Sequence, residues 1–269
     1  MLLNVQGQDT FCYTGGKAFN PELPTVVFIH GAQNDHSVWT LQTRYFAHHG
    51  YGVLAVDLPG HGRSKGAPLA SVEAMADWLL ALLDAAGVQK AILVGHSMGS
   101  LIALEAAFRA PQRVAKLALV GTAYPMKVSE ALLDAALNRE QDAVDMVNIW
   151  SHSSIAHKPS SPGPGFYVMG GSRRLMQQVS RRNPEHKVFH TGFSACNAYA
   201  NGENAAKSVA CPTLLLLGKR DMMTPPKAAA ALSQAIAGCQ VQQIDACGHS
   251  LMAEQPDAVL EALYGFAGR

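Results

Sequence analysis

The stretch "VGHSMGS", residues 94–100, decides how this chain is read. It sets Ser97 between Gly95 and Gly99 in the spacing Gly-x-Ser-x-Gly. The compact apolar run "AILVG" (91–95) precedes it, and a helical pattern over 97–110 follows, stopped before Pro111. A serine on a tight turn between a buried strand and a helix has its hydroxyl exposed, and glycines on either side leave the turn room to close. The helix that starts there aims unpaired N–H groups and the positive end of its dipole at the same place. A serine hydroxyl alone is a poor nucleophile. The rest of the chain must therefore supply a base, a group to orient the base, and donors for an oxyanion.

The chain has 11 histidines, and position selects among them. His249 lies in "DACGHSLMAEQPDA", after the last strand-like run, in a loop that opens at the same sheet edge as Ser97. An imidazole there can accept the hydroxyl proton and return it to a leaving group. His96 adjoins the nucleophile, but the turn aims its side chain elsewhere. His30 and His61 sit in Gly-rich turns and read as loop braces. Asp221 follows the strand "TLLLLG" (213–218) in "GKRDMMTPP" and precedes His249, giving the order Ser, Asp, His. Its carboxylate would fix the imidazole tautomer. Asp57 in "DLPGHGRS" and Asp245 are competitors. The first reads as a turn cap, and the second sits too close along its strand to reach round to the imidazole. For the oxyanion, the backbone N–H of Met98 is one donor, and the N–H of Ala32 in "HGAQND" is the other.

Working outward, "TVVFIH" (25–30), "GVLAVD" (52–57), "AILVG", "VAKLALVG" (114–121), "TLLLLG" and "QVQQID" (240–245) read as strands. Segments 36–50, 71–87, 97–110, 225–238 and 256–268 read as helices between or after them. This alternation predicts an α/β fold, a mostly parallel sheet with helices on both faces. "LLNVQG" and "TFCY" suggest an added N-terminal antiparallel hairpin. From residue 122 to residue 208 no run is strand-like. "EALLDAALNREQDAVDMVNIW" and "RRLMQQVSRR" are helical, with a loop "HKPSSPGPG" (157–165) between them. The expected organisation is a core of residues 1–121 and 209–269 and a helical insertion, 122–208, at the carboxyl ends of the strands, where such sheets bind ligands.

Composition fits this. Of 269 residues, 48% are hydrophobic and 15% charged, a globular balance, and the net charge of +1 gives no reason to expect nucleic acid or anionic membrane as a partner. No apolar run approaches the roughly 18 residues of a membrane span. The N-terminus lacks a basic region followed by a long apolar run, so no signal peptide is expected. Five cysteines without CxxC spacing argue against a disulfide framework or zinc cluster and for reduced thiols in a cytoplasmic protein. The expected partner is a small-molecule substrate, without metal or cofactor, and both monomer and homodimer are compatible with the sequence.

"HGAQND", "DLPGHGRS", "GHSMGS", "LLLLGKRDMMTPP" and "GHSLMAEQPDAVLEAL", in this order, resemble the α/β-hydrolase family over nearly the whole chain. The resemblance implies an eight-stranded sheet with a helical cap and a serine hydrolase of the esterase-like branch. Dehalogenase-like and epoxide-hydrolase-like members carry aspartate where Ser97 stands, and dienelactone-hydrolase-like members carry cysteine. "AQND" departs from the "SGPG"-like stretch of carbon–carbon bond hydrolases. The opening "HGA…VW" also resembles the plant methylesterase and hydroxynitrile-lyase branch. Lactone, amide or carbon–carbon hydrolysis and perhydrolysis use the same triad, and a catalytically silent receptor on this fold is the alternative of another class. Met126, Trp150, Phe166, Met222 and Leu251 are the candidate substrate-binding residues, since Met and aromatic side chains suit an adaptable apolar pocket. Arg173, Arg174, Arg181 and Arg182 read as a solvated face, with capture of a substrate carboxylate as the alternative.

Overall fold

The computed structural model describes residues 1–154 and 167–268. Eight strands form one sheet: β1 (Leu2–Val5), β2 (Gln8–Tyr13), β3 (Thr25–Ile29), β4 (Gly52–Val56), β5 (Ala91–His96), β6 (Val114–Val120), β7 (Thr213–Gly218) and β8 (Gln240–Ile244). Their spatial order is β1-β2-β4-β3-β5-β6-β7-β8. The N-terminal hairpin is present, with β1 antiparallel to β2 and β2 antiparallel to β4, and the other pairs are parallel. Strands β3, β4, β5 and β7 are buried along their whole length, as expected of strands covered by helices on both faces. By contrast, β8 is an edge strand whose first four residues are exposed.

One face is covered by α2 (Val72–Ala85) and α3 (Met98–Arg109), which bury Trp78, Leu79, Leu82, Leu101 and Leu104 against Val27, Leu54 and Leu93. The other is covered by α1 (Thr40–His48) and α11 (Pro256–Gly268), with Trp39, Phe46, Leu263 and Phe266 packed on Phe28, Val53 and Val94. Ser71 caps α2 as the sequence suggests, its hydroxyl accepting from the Ala74 amide at 3.1 Å. The helix expected over 36–50 divides into a short 3₁₀ turn, His36–Trp39, and α1, because the Asp35 carboxylate accepts from the Ser37 amide and starts the turn there. The helix expected over 225–238 shortens to α9 (Ala230–Ala235), behind a 3₁₀ turn that opens on Pro226.

Between β6 and β7 the described residues are helical: α4 (Glu130–Asn138), α5 (Glu140–Trp150), α6 (Val168–Arg182), α7 (Val188–Ala198) and α8 (Gly202–Ser208). The single run expected over 130–150 breaks at Arg139, whose φ of −143° and ψ of 57° leave the helix. The break lets α5 fold back on α4, so that Leu132, Ala135 and Ala136 pack against Ala143, Val144 and Val147. Helices α7 and α8 were not anticipated from the sequence. Cys196, Tyr199, Ala205 and Ala206 join the cluster under α2 and α3 rather than that of α4 and α5. The loop expected over 157–165 lies outside the described residues. Among the described residues no helix is long and apolar enough to cross a membrane.

Strand order brings the relevant loops together. The chain runs from β3 outward to β4, then returns to place β5 on the other side of β3. The β3–β5 boundary is therefore the switch point, where a crevice opens at the carboxyl ends. Ile29 and Gly95 are paired there, so the segments starting at His30 and at Ser97 leave the sheet side by side. His30 joins the loop after β3 to that after β4. Its Nδ1 lies 2.8 Å from the Gly31 carbonyl, and its Nε2 accepts from the Leu58 amide at 3.1 Å. A ring nitrogen that accepts an N–H carries no proton, so His30 is the neutral Nδ1–H tautomer.

Burial, reinforced by the nearby His61 ring, lowers its pKa from 6.5 to about 3. Below pH 6.5 the unfolded chain binds a proton that folded His30 refuses, so stability is full above 6.5 and is lost as pH falls toward 3. Acidification through this window is expected to lower the unfolding free energy by on the order of 1 kcal/mol per pH unit for this residue. His30→Gln should flatten the slope by that amount in urea titrations, and an unchanged slope would contradict the assignment.

Candidate active site

Ser97 has φ 53° and ψ −118°, a backbone conformation that L-residues rarely adopt. Several interactions hold it. The Ser97 amide donates to the Val120 carbonyl of β6 at 2.9 Å. Its carbonyl accepts from the Ser100 amide at 2.8 Å and from the Ser100 hydroxyl at 2.5 Å. Gly95 and Gly99 are required by contact: a Cβ on Gly95 would lie 2.1 Å from the Gly99 carbonyl oxygen, and one on Gly99 2.4 Å from that of Ile29. Met98 opens α3, so its N–H is among the first-turn amides without an intrahelical acceptor.

Asp221 and His249 are brought together across the ends of β7 and β8. His249 Nδ1 lies 2.8 Å from Asp221 Oδ2. The Asp221 carboxylate also accepts from the Met223 and Thr224 amides, each at 2.8 Å, and from the Thr224 hydroxyl at 2.7 Å. Burial by itself would raise the Asp221 pKa, but the facing His249 and the Thr224 donors outweigh it and hold the carboxyl below its usual range. An anionic Asp221 keeps the proton of His249 on Nδ1 and leaves Nε2 free to accept. The two competitors are engaged elsewhere. Asp57 accepts from the His36 and Arg63 amides, at 2.8 Å each, and Asp245 pairs with Lys219 at 2.6 Å at the surface.

The His249 loop is fastened by His96, set aside above as a base, and by Glu254, which the sequence does not mark. His96 is buried, and its Nε2 lies 2.9 Å from the His249 carbonyl, so it supports the loop from below. Burial, with a smaller contribution from the His249 ring, lowers the His96 pKa to about 3 and keeps it neutral. Glu254, also buried, accepts from the Gly248 amide at 2.6 Å and from the Ser153 hydroxyl at 2.7 Å. The Ser250 amide donates to the Ser151 carbonyl at 2.8 Å. A second unanticipated residue, Gln33, follows Ala32 with a φ of 58° and is fully buried. Its Nε2 donates to the Met176 carbonyl at 3.0 Å and to the Ser180 hydroxyl at 2.6 Å, both on α6. The loop carrying Ala32 is thus tied to the helices above it. Gln33 stands in the quoted "HGAQND", but its left-handed backbone has no mark in the sequence.

Two chambers meet at Ser97. The larger, about 430 Å³, is lined by Ala32, Ser97 and His249 together with residues of α1, α5, α6 and α10 (Leu251–Glu254). The smaller, about 160 Å³, is lined by Ala32, Ser97, Met126, Trp150 and Met222 among others. Of the residues expected to bind substrate, Met126, Trp150 and Met222 line the smaller chamber. Phe166 lies outside the described residues. Leu251 corrects the expectation: it is 0% exposed in the cluster with Trp39 and Val259 and lines neither chamber. Its helix turns Leu251 inward and presents Met252 and Ala253 to the larger chamber. The arginines lie outside: Arg173 pairs with Asp145 at 2.9 Å and Arg182 approaches Asp35 at 3.6 Å, while Met176 and Val179 form the buried face of α6.

Asp35, His36 and Asp57 form a trio of potential metal ligands within 4.8 Å of one another. Their oxygens are engaged by the loop itself, Asp35 Oδ1 by the Ser37 amide and hydroxyl and Asp57 Oδ1 by the His36 amide, so the trio reads as a turn brace. The five cysteines are unpaired, and burial pushes the Cys12 and Cys196 thiols up to about 12.

Known proteins resemble this chain in sequence and in fold. The chain is 27% identical over 263 residues to a pimeloyl-[acyl-carrier protein] methyl ester esterase of Nitrosospira multiformis, covering 91% of this chain and 95% of that protein. It is 32% identical over 202 residues to an (E)-2-((N-methylformamido)methylene)succinate hydrolase of Acinetobacter baylyi, 73% of this chain and 72% of the relative. The fold superposes on an enol-lactonase from Burkholderia xenovorans with a TM-score of 0.85 over the whole of both chains at 22% identity, a likeness of fold alone. The family model for the alpha/beta hydrolase fold matches residues 24–256, and the chain belongs to that family.

Proposed function

We propose that this alpha/beta hydrolase cleaves carboxylic esters through an acyl-enzyme on Ser97. The observation that carries the reading is the 2.8 Å pair of His249 Nδ1 and Asp221, whose imidazole lines the same chamber as Ser97. In the proposed cycle, His249 Nε2 takes the Ser97 hydroxyl proton as Oγ attacks the carbonyl carbon. The Ala32 and Met98 amides receive the developing oxyanion. The carbon–oxygen bond to the alcohol then breaks, and the leaving oxygen takes the proton from His249. Water, deprotonated by His249 in its turn, attacks the acyl-enzyme and releases the carboxylic acid. Asp221 stays ionised throughout, orienting the ring and stabilising the imidazolium.

The helices of the insertion 122–208 supply a cap: α5 and α6 furnish walls of the larger chamber and hold the Ala32 loop through Gln33. A cap that excludes water strengthens every electrostatic interaction below it. That one relative is a methyl ester esterase supports the ester reading.

Ser97→Ala and His249→Ala are expected to abolish hydrolysis of p-nitrophenyl acetate while leaving circular dichroism and the melting temperature close to wild type. Asp221→Asn, which removes the anion that fixes the tautomer, should lower kcat by about 10⁴-fold. Near-full activity in Asp221→Asn would overturn the acid assignment, and a fully active Ser97→Ala would overturn the reading altogether.

A further inference from the structure

The two chambers at Ser97 differ in one respect that bears on chemistry: His249 lines the larger and not the smaller. Resting on the ester-hydrolase reading above, we infer that the smaller chamber receives the acyl chain and the larger receives the alcohol. The substrates are therefore short-chain acyl esters of large, uncharged alcohols.

The proton that His249 takes from Ser97 must go to the leaving oxygen, so that oxygen has to sit against the imidazole. Asp221 occupies Nδ1, which leaves Nε2 as the only ring nitrogen able to serve. The alcohol thus extends from the imidazole into the chamber the imidazole lines. The carbonyl carbon carries its other substituent away from the leaving oxygen, toward the chamber walled by Met126, Trp150 and Met222. Ala32, one proposed oxyanion donor, and Ser97 line both chambers, as a reacting carbon at their junction requires.

Size then sets the class. The smaller chamber, about 160 Å³, has little more than a third of the 430 Å³ of the larger, so the shorter group belongs on the acyl side. Charge narrows it further. Among the described residues, no Asp, Glu, Lys or Arg lines the larger chamber. An ionised alcohol moiety there would lose its water without gaining a partner. Val38, Leu175 and Met252 offer apolar contact, and Asn34, Ser37 and Ser172 can hydrogen-bond to neutral hydroxyl or carbonyl groups.

Isomeric esters isolate the assignment, because they share composition and differ only in which side carries the chain. Octyl acetate and methyl nonanoate are to be compared by pH-stat titration on wild type, Ser97→Ala and Trp150→Ala. The expected result is Ser97-dependent hydrolysis of octyl acetate with kcat/KM about tenfold or more above that of methyl nonanoate. Trp150→Ala, by opening the smaller chamber, should shrink that ratio by accelerating methyl nonanoate. Equal, reversed or undetectable rates on the two isomers, in a preparation that still hydrolyses p-nitrophenyl acetate through Ser97, overturn the division of the chambers and leave the serine-hydrolase reading standing. Failure of a folded wild type on all three esters overturns that reading and this inference together.

Discussion

The backbone of Ser97 is held at φ 53°, ψ −118°, a conformation that costs an L-residue on the order of 1–3 kcal/mol and survives only when its surroundings over-determine it. Here they do so from both sides. The Ser97 amide is the last rung of the β5–β6 ladder, and its carbonyl is held by Ser100 in the first turn of α3. With no side chain at Gly95 or Gly99, α3 sits directly on the ends of β3 and β5. The position of Ser97 is thus a property of the sheet, and the other parts of the candidate site inherit theirs from the same sheet. Register between β3 and β5 sets the Ala32 loop beside Ser97, and the order β6-β7-β8 sets Asp221 and His249 on its other side.

The carboxylates under this site are buried and are satisfied by backbone amides and side-chain donors together. Asp221 has four donors, and Glu254 takes the Gly248 amide and the Ser153 hydroxyl. For Asp221 the facing His249 and the Thr224 donors hold the carboxyl below its usual range despite its burial. His30 and His96 follow the opposite rule. Burial makes each neutral, and each then uses its ring as a fixed strut between loops. With Asp221 held as the anion and His30 and His96 held neutral, His249 is the imidazole paired with the Asp221 carboxylate.

Much of this was legible in the sequence because the signals are local. Alternating apolar runs and helical patterns marked the sheet, and the short motifs around Ser97, Asp221 and His249 each fall directly after a strand. What escaped depends on contacts between distant segments. The break at Arg139 follows from the gain in burying Leu132 against Val144, and nothing in the composition of 130–150 marks it. Leu251 and Met252 are adjacent apolar residues, and only the docked orientation of α10 decides which one meets the chamber. Gln33 and Glu254 look like ordinary surface residues until the fold buries them. Gln33 is bonded to residues more than a hundred positions away and held in a left-handed backbone that a glutamine does not advertise. Helix α7 lacks a side-chain cap bond at its start, so the usual opening signal was missing.

Among the described residues the larger chamber has no charged lining, and on the reading proposed above this has a kinetic consequence. Enzymes that funnel ionic substrates use a field of one sign to raise encounter rates, and they lose that advantage as salt screens it. This chain carries a net charge of +1, and Arg173 and Arg182 on α6 have acidic partners in Asp145 and Asp35. An uncharged substrate of the kind proposed above would gain nothing from such a field; it would be retained by desolvation of its apolar surface, which ionic strength alters little. On that reading the selectivity of the site would reside in how long a molecule stays rather than in how fast it comes.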